Sequence, residues 1–106
     1  MSDPLLAIST SRSNLETTIK LSGECDHSNV DDLNRVVHEI LMSETRRIVL
    51  DVEELNYMGS CGLTSIERAL EVLQPVGGIV VVHKPAWMLK WLLDFFGISK
   101  GAVIVE

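Results

Sequence analysis

Arg47-Ile48-Val49-Leu50-Asp51-Val52 and, a few residues later, Asn56-Tyr57-Met58-Gly59-Ser60-Cys61-Gly62-Leu63-Thr64-Ser65 are the stretches on which the reading of this chain turns. Ile48-Val49-Leu50 is a continuous apolar run, the pattern of a central strand covered on both faces. The second stretch is small and polar and predicts a loop. Leu63, Ile66, Leu70 and Leu73 then recur at spacings of three and four, the stripe of an amphipathic helix, until Pro75 and Gly77-Gly78 stop it. A buried strand, a polar loop and a helix in succession are the core of a βαβ unit.

Upstream, Leu5 to Ser9 and Thr17 to Leu21 predict two strands of an antiparallel hairpin around a turn at Ser11-Arg12-Ser13-Asn14. Val30, Leu33, Val37, Ile40 and Leu41 mark a first helix over His27 to Met42, with Ser28 or Asn29 as N-cap and Asp31-Asp32 where the helix dipole favours negative charge. Downstream, Ile79 to Val82 is another apolar strand. Pro85 sits at the first turn of a third helix, Gly97 ends that helix, and a last strand lies near Ala102 to Val105. The predicted fold class is α/β, a mixed sheet flanked by helices in the order β-β-α-β-α-β-α-β, with residues 1–106 as one domain. Such folds place their chemistry in loops at the carboxyl ends of strands, here Gly23-Glu24-Cys25-Asp26 and Gly59-Ser60-Cys61-Gly62.

The chain has 106 residues, 46% apolar and 23% charged, with a formal charge of −6. Nine basic residues, scattered along the sequence, do not make a phosphate-binding surface, so no nucleic-acid partner is expected. No apolar run is long enough to span a bilayer, and Met1-Ser2-Asp3-Pro4 does not begin a signal peptide; a cytoplasmic location and no membrane partner are expected. His27, His38 and His83 share no ligand spacing with the cysteines or with one another, so neither a metal nor another cofactor is predicted. The Gly-Ser-Cys-Gly stretch lacks the lysine of a phosphate-binding loop, and no nucleophile elbow is present; the expectation is a binding protein rather than an enzyme.

In order and spacing these segments resemble the STAS domain of bacterial anti-sigma factor antagonists, from about Leu5 to the Gly97-Ile98 pair. The family signature is Leu-Asp-Leu, a spacer, then Asp-Ser-Ser-Gly-Leu. On that pattern Gly59 stands where aspartate is usual, Ser60 matches the first serine, and Cys61 takes the place of the phosphate-accepting serine, followed by Gly62 and Leu63. Asp26 matches the aspartate of a Gly-Glu-Leu-Asp stretch near the phosphorylation loop, with Cys25 in place of leucine.

The resemblance implies a protein that docks this loop and the following helix on an anti-sigma factor or serine kinase of the histidine-kinase-like fold, freeing a sigma factor. Partner contacts would come from Asp26, Gly59, Ser60, Cys61, Gly62 and Leu63. In the family, phosphorylation of the loop serine reverses docking, because about −1.5 to −2 charges are added at the contact. Cys61 offers no hydroxyl, and several readings stay open: an antagonist that is never switched off at Cys61; a switch moved to Ser60 or Thr64; a redox-sensing thiol at Cys61; or a small half-buried residue with no switching role. A Cys25–Cys61 bridge would need Cα atoms within about 7 Å. Asp26 reads equally as a helix cap. The alternative in another class is a STAS scaffold or sensor subunit of a stress-signalling complex, regulated by Ser60 phosphorylation or Cys61 oxidation.

The third helix, Ala86 to Phe96, is apolar almost all round. Trp87 and Trp91 lie four apart on one side and Leu89, Leu92, Leu93 and Phe96 on another, and one sheet cannot cover both. Either the tryptophans form a second interface, with a homodimer or a partner module, or the N-terminal hairpin folds over them.

Overall fold

In the computed structural model, which describes residues 5–106, the elements follow the expected order. They are β1 (Leu6–Ser13), β2 (Glu16–Cys25), α1 (Val30–Leu41), β3 (Arg47–Met58), α2 (Ser60–Leu73), β4 (Ile79–His83), α3 (Trp87–Phe95) and β5 (Val103–Val105), with single 3-10 turns at Gln74–Val76 and Ile98–Lys100. The Met1 to Pro4 segment, read above for a signal peptide, lies outside the described residues. No helix among the described residues is long and apolar enough to cross a membrane.

The five strands form one sheet in the order β1-β2-β3-β4-β5; β1 is antiparallel to β2, and the other pairs are parallel. Each parallel crossover moves one strand in the same direction. Crossovers of the usual right hand therefore put α1, α2 and α3 on one face. This corrects the expectation that β3 is covered on both sides. Thr17, Ile19 and Leu21 of β2, Ile48, Leu50 and Val52 of β3, and Val80 and Val82 of β4 are buried beneath the helices. The opposite face carries ion pairs across neighbouring strands, Arg47–Glu16 at 2.8 Å and His83–Asp51 at 3.6 Å, around a buried Val81 of β4. A strand order without reversal also leaves no crevice of the kind in which doubly wound sheets hold small ligands.

Three boundaries differ from the sequence reading. The hairpin turn is Asn14-Leu15, because Ser13 pairs with Glu16; Asn14 takes φ 55, a conformation that asparagine tolerates. Helix α1 begins at Val30, since residues 27–29 form a turn. Pro85 precedes α3, whose N-cap is Ala86.

The largest difference is in β3, which continues to Met58. Lys20 and Ser22 of β2 pair with Asp51 and Glu54, and Gly23 and Glu24 pair with Leu55 and Tyr57, so β3 gains one extra residue at each of two bulges. Its buried positions are accordingly Ile48, Leu50 and Val52 at period two, then Leu55 and Met58 at spacings of three. Each bulge restores the inward side chain to the core face, which is why simple alternation loses the strand after Val52.

Candidate functional site

The stretch read as a loop contracts to one residue. Gly59, at φ −71 and ψ 166, separates the last residue of β3 from the first of α2, so Ser60, Cys61 and Thr64 belong to the first turns of the helix. The hinge is tied to β2: Cys25 pairs with Met58 and its carbonyl accepts the Gly59 N–H at 2.9 Å. The carboxyl ends of β2 and β3 thereby hold the start of α2 beside the turn that opens α1.

Gly62 has a steric role rather than a conformational one. It is helical and buried, and a Cβ there would lie 2.7 Å from Met58 Cγ and 3.3 Å from Cys25 Sγ. Only a residue without a side chain lets α2 approach the sheet this closely. Leu63 is 1% exposed and anchors the helix from beneath. Cys61 is half-buried and packs against the core, Ser60 is exposed, and the Thr64 hydroxyl donates to the Cys61 carbonyl at 2.6 Å. Gly59 does not need glycine for its backbone angles.

On the β2 side, Gly23 at φ 94 would bring a Cβ to 2.1 Å from the Leu5 carbonyl oxygen, so glycine is required where β2 bends toward the site. Cys25 is fully buried; burial, then the neighbouring Cys61, then Asp26, push its thiol up to about 11. Both cysteines are free thiols, with no bridge between them.

Asp26 organises a turn. Its Oδ1 accepts from the Ser28 N–H at 2.9 Å and the Ser28 hydroxyl at 2.5 Å, and its carbonyl accepts from the Val30 N–H. The Ser28 bonds, the hydroxyl first, hold the carboxyl below its usual range. The cap residue proper, Asn29, makes no side-chain cap; its side chain accepts from the Asp26 N–H and donates to the Glu24 carbonyl, each at 3.0 Å. The cap role expected for Ser28 or Asn29 thus passes to an aspartate-centred turn that fixes the approach to α1. Helices α1 and α2 are joined by a Ser65–Asn34 hydrogen bond and by Arg68 to His38 at 3.1 Å.

What converges here is a surface patch: Asp26, Gly59, Ser60, Cys61 and Thr64 at the surface, with Gly62 and Leu63 beneath. The adjoining cleft between β3 and α3, lined by Leu55, Tyr57, Met58, Met88 and Leu89 among others, holds about 20 Å³, far below a metabolite site.

Trp87 and Trp91, read as a second interface, are 76% and 56% exposed. The hairpin does not cover them, because β1 lies at the opposite edge of the sheet from β5. The sequence reading missed one cluster: ligand-type atoms of Asp51, Glu53 and His83 lie within 4.8 Å of one another. His83 leans on Asp51, and the Lys84 ammonium is 3.5 Å from Glu53, where it opposes a cation. Strand pairing of Asp51 with His83 creates this proximity, which linear spacing does not reveal.

The STAS domain family model matches residues 7–103. Among solved structures, an anti-sigma factor antagonist from Mycobacterium paratuberculosis superposes with a TM-score of 0.85 at 18% identity, over 99% of this chain and 90% of that one. The anti-sigma factor antagonist SpoIIAA in its unphosphorylated form gives 0.80 at 20% identity, over 94% and 88%. The Bacillus cell fate determinant SpoIIAA in its phosphorylated form gives 0.78 at 20% identity, over 94% and 92%. At these identities the likeness establishes the shared fold.

Proposed function

From the chain's membership of the STAS domain family, to which it belongs, we propose that this protein is an anti-sigma factor antagonist whose switch differs from the family pattern. The Asp26 turn and the first turns of α2 dock on an anti-sigma factor or serine kinase of the histidine-kinase-like fold, and docking releases a sigma factor. Cys61 occupies the phosphate-acceptor place, so the complex is not dissolved by phosphorylation there. No catalytic step is assigned to the chain.

The observation that carries this reading is the one-residue hinge at Gly59, which presents Ser60, Cys61 and Thr64 on a helix start held by the ends of two strands. A small-residue patch whose adjoining cleft is far below metabolite size suits recognition of a protein surface. Ser60 and Thr64 are both exposed, and a second reading, a switch displaced to Ser60, is favoured over one at Thr64 by the engagement of the Thr64 hydroxyl with the Cys61 carbonyl. Phosphate at Ser60 would sit on the positive end of α2 yet add charge to the docking patch.

The test is titration of the chain with a histidine-kinase-like anti-sigma protein from its own cells, with and without ATP, followed by phosphosite mapping. Saturable binding unaffected by ATP is the expected result. Loss of binding on ATP addition with phosphate on Ser60 selects the displaced switch. Failure to bind any such protein overturns both.

A further inference from the structure

We propose that the outer face of α3 is a homodimer contact in which two copies pack their α3 helices antiparallel about a twofold axis. The proposal is independent of the docking patch at α2. Leu89 and Leu93 are buried, while Trp87, Trp91 and Phe95 share the opposite face of the helix and stand largely in solvent, Phe95 at 68%, with Met88 half-exposed at their edge. Trp91 and Phe95 stack with ring centroids 5.1 Å apart and planes 15° from parallel, so the stripe is already ordered in a single copy. Ordering rings in advance reduces the entropy lost on association.

Two observations choose a second copy as the occupant. The first is area: at roughly 150 to 250 Å² per large aromatic side chain, the exposed fractions and the adjoining Phe96 leave about 500 to 600 Å² of apolar surface. A symmetric pair would bury about twice that, at the lower edge of specific interfaces, as suits a reversible dimer. The second is charge. Lys90 and Asp94 lie four residues apart on the same border of the stripe, and Leu92 and Phe96 lie on the other. A twofold axis that reverses the helix direction sets each border against its own copy. Lys90 of each chain then faces Asp94 of the other, the apolar borders meet, and Trp87 approaches the Phe95 end of the stripe. In a single copy Lys90 already pairs with Glu106, which the dimer would leave near the same ammonium. A formal charge of −6 disfavours anionic lipid surfaces as the occupant.

Sedimentation equilibrium of the full chain from about 1 to 500 μM should show reversible doubling of mass. Trp91→Arg should weaken it at least about tenfold while leaving the denaturation midpoint of the monomer unchanged. Lys90→Asp and Asp94→Lys should each weaken self-association, and an equimolar mixture of the two variants should form a heterodimer, because each then presents one sign to the other. A chain monomeric throughout overturns the proposal, as does doubling that survives Trp91→Arg. Loss of doubling in Trp91→Arg without any response to the charge variants overturns the antiparallel arrangement. Binding of the monomeric chain to zwitterionic phosphatidylcholine vesicles through Trp91 would assign the face to a lipid surface instead.

Discussion

Helices α2 and α3 are both rich in apolar side chains and lie on the same face of the sheet, yet they direct those side chains oppositely. In α2, Leu63, Ile66, Ala69, Leu70 and Leu73 all reach the core, and Gly62 brings the backbone down onto Met58 and Cys25. What remains outside near its start is small or polar. In α3 only Leu89 and Leu93 are buried, and its three aromatic rings, with that of the C-cap Phe96, stay half or more outside. The cause is position. Helix α2 follows the long β3 and lies against α1, whereas α3 precedes a three-residue edge strand and finds only a narrow strip of sheet to cover. A helix with a broad seat buries its apolar side chains; one with a narrow seat leaves apolar surface exposed.

The sharpest way to break that contrast is to truncate one side chain in each helix. Leu63→Ala should cost about 3 kcal/mol, through lost burial and the cavity left behind. Trp87→Ala, despite removing a far larger group, should change stability by no more than about 0.5 kcal/mol at low concentration. Urea unfolding followed by circular dichroism near 1 μM (about the lowest useful concentration) separates the two. Comparable losses would show that α3 is seated as firmly as α2.

Gly62→Val tests the close approach itself. The new side chain would overlap Met58, whose Cγ is mid-chain and cannot simply swing aside, and would press on Cys25. Even after the small gain from replacing a helical glycine, the cost should be about 2 kcal/mol in the same unfolding measurement. A stabilised variant would mean that α2 can rise off the sheet without loss.

The Cys25 thiol reports on the same contact through pH. Its pKa is raised from 9.0 to about 11 in the folded chain, chiefly by burial. The folded state therefore holds the proton more tightly than the unfolded state. The associated stability is fully present below pH 9 and is lost as pH rises from 9 toward 11, on the order of 2 kcal/mol in all. Unfolding curves across this window should flatten in Cys25→Ala relative to the parent, although that variant starts from lower stability. An unchanged slope would place the sulfur in contact with water.

Much of this contrast is legible in the sequence. Leu63, Ile66, Leu70 and Leu73 announce the seated face of α2 by their spacing, and Trp87 and Trp91 announce a face that one sheet cannot cover. The element order follows from the alternation of the two periods. Illegible were the features set by strand pairing: the bulges that carry β3 to Met58, the meeting of Asp51 with His83, and the single covered face that a strand order without reversal imposes. At the candidate site, Ser60, Cys61 and Asp26 were singled out by the resemblance alone, and the structure brings the ends of β2 and β3 that carry them side by side. That the loop is one residue long, and that Gly62 is demanded by a side chain from β3 and another from β2, depends on contacts between segments far apart in the chain.

Gly59 gives the smallest effect and the finest test of how the start of α2 is built. Its backbone is extended, open to any residue, and an added Cβ would meet Tyr57 Oη at 3.3 Å and Cys61 Sγ at 3.7 Å, contacts that a small shift of the tyrosine relieves. Gly59 is also the N-cap of α2, without a side chain to accept the first helical N–H groups. Gly59→Asp should supply that acceptor and place negative charge at the positive helix end, a gain of about 0.5 kcal/mol and about 3 °C in thermal midpoint. Because the cap favours the carboxylate, the aspartate pKa falls on folding; the gain is present above the unfolded value near pH 4 and is lost as pH falls through the folded value. Thermal scans at pH 7 and about pH 3 should thus show the variant ahead of the parent only at the higher pH. A variant less stable than the parent at pH 7 would mean that the hinge, like the helix turn it leads into, has no room for a side chain.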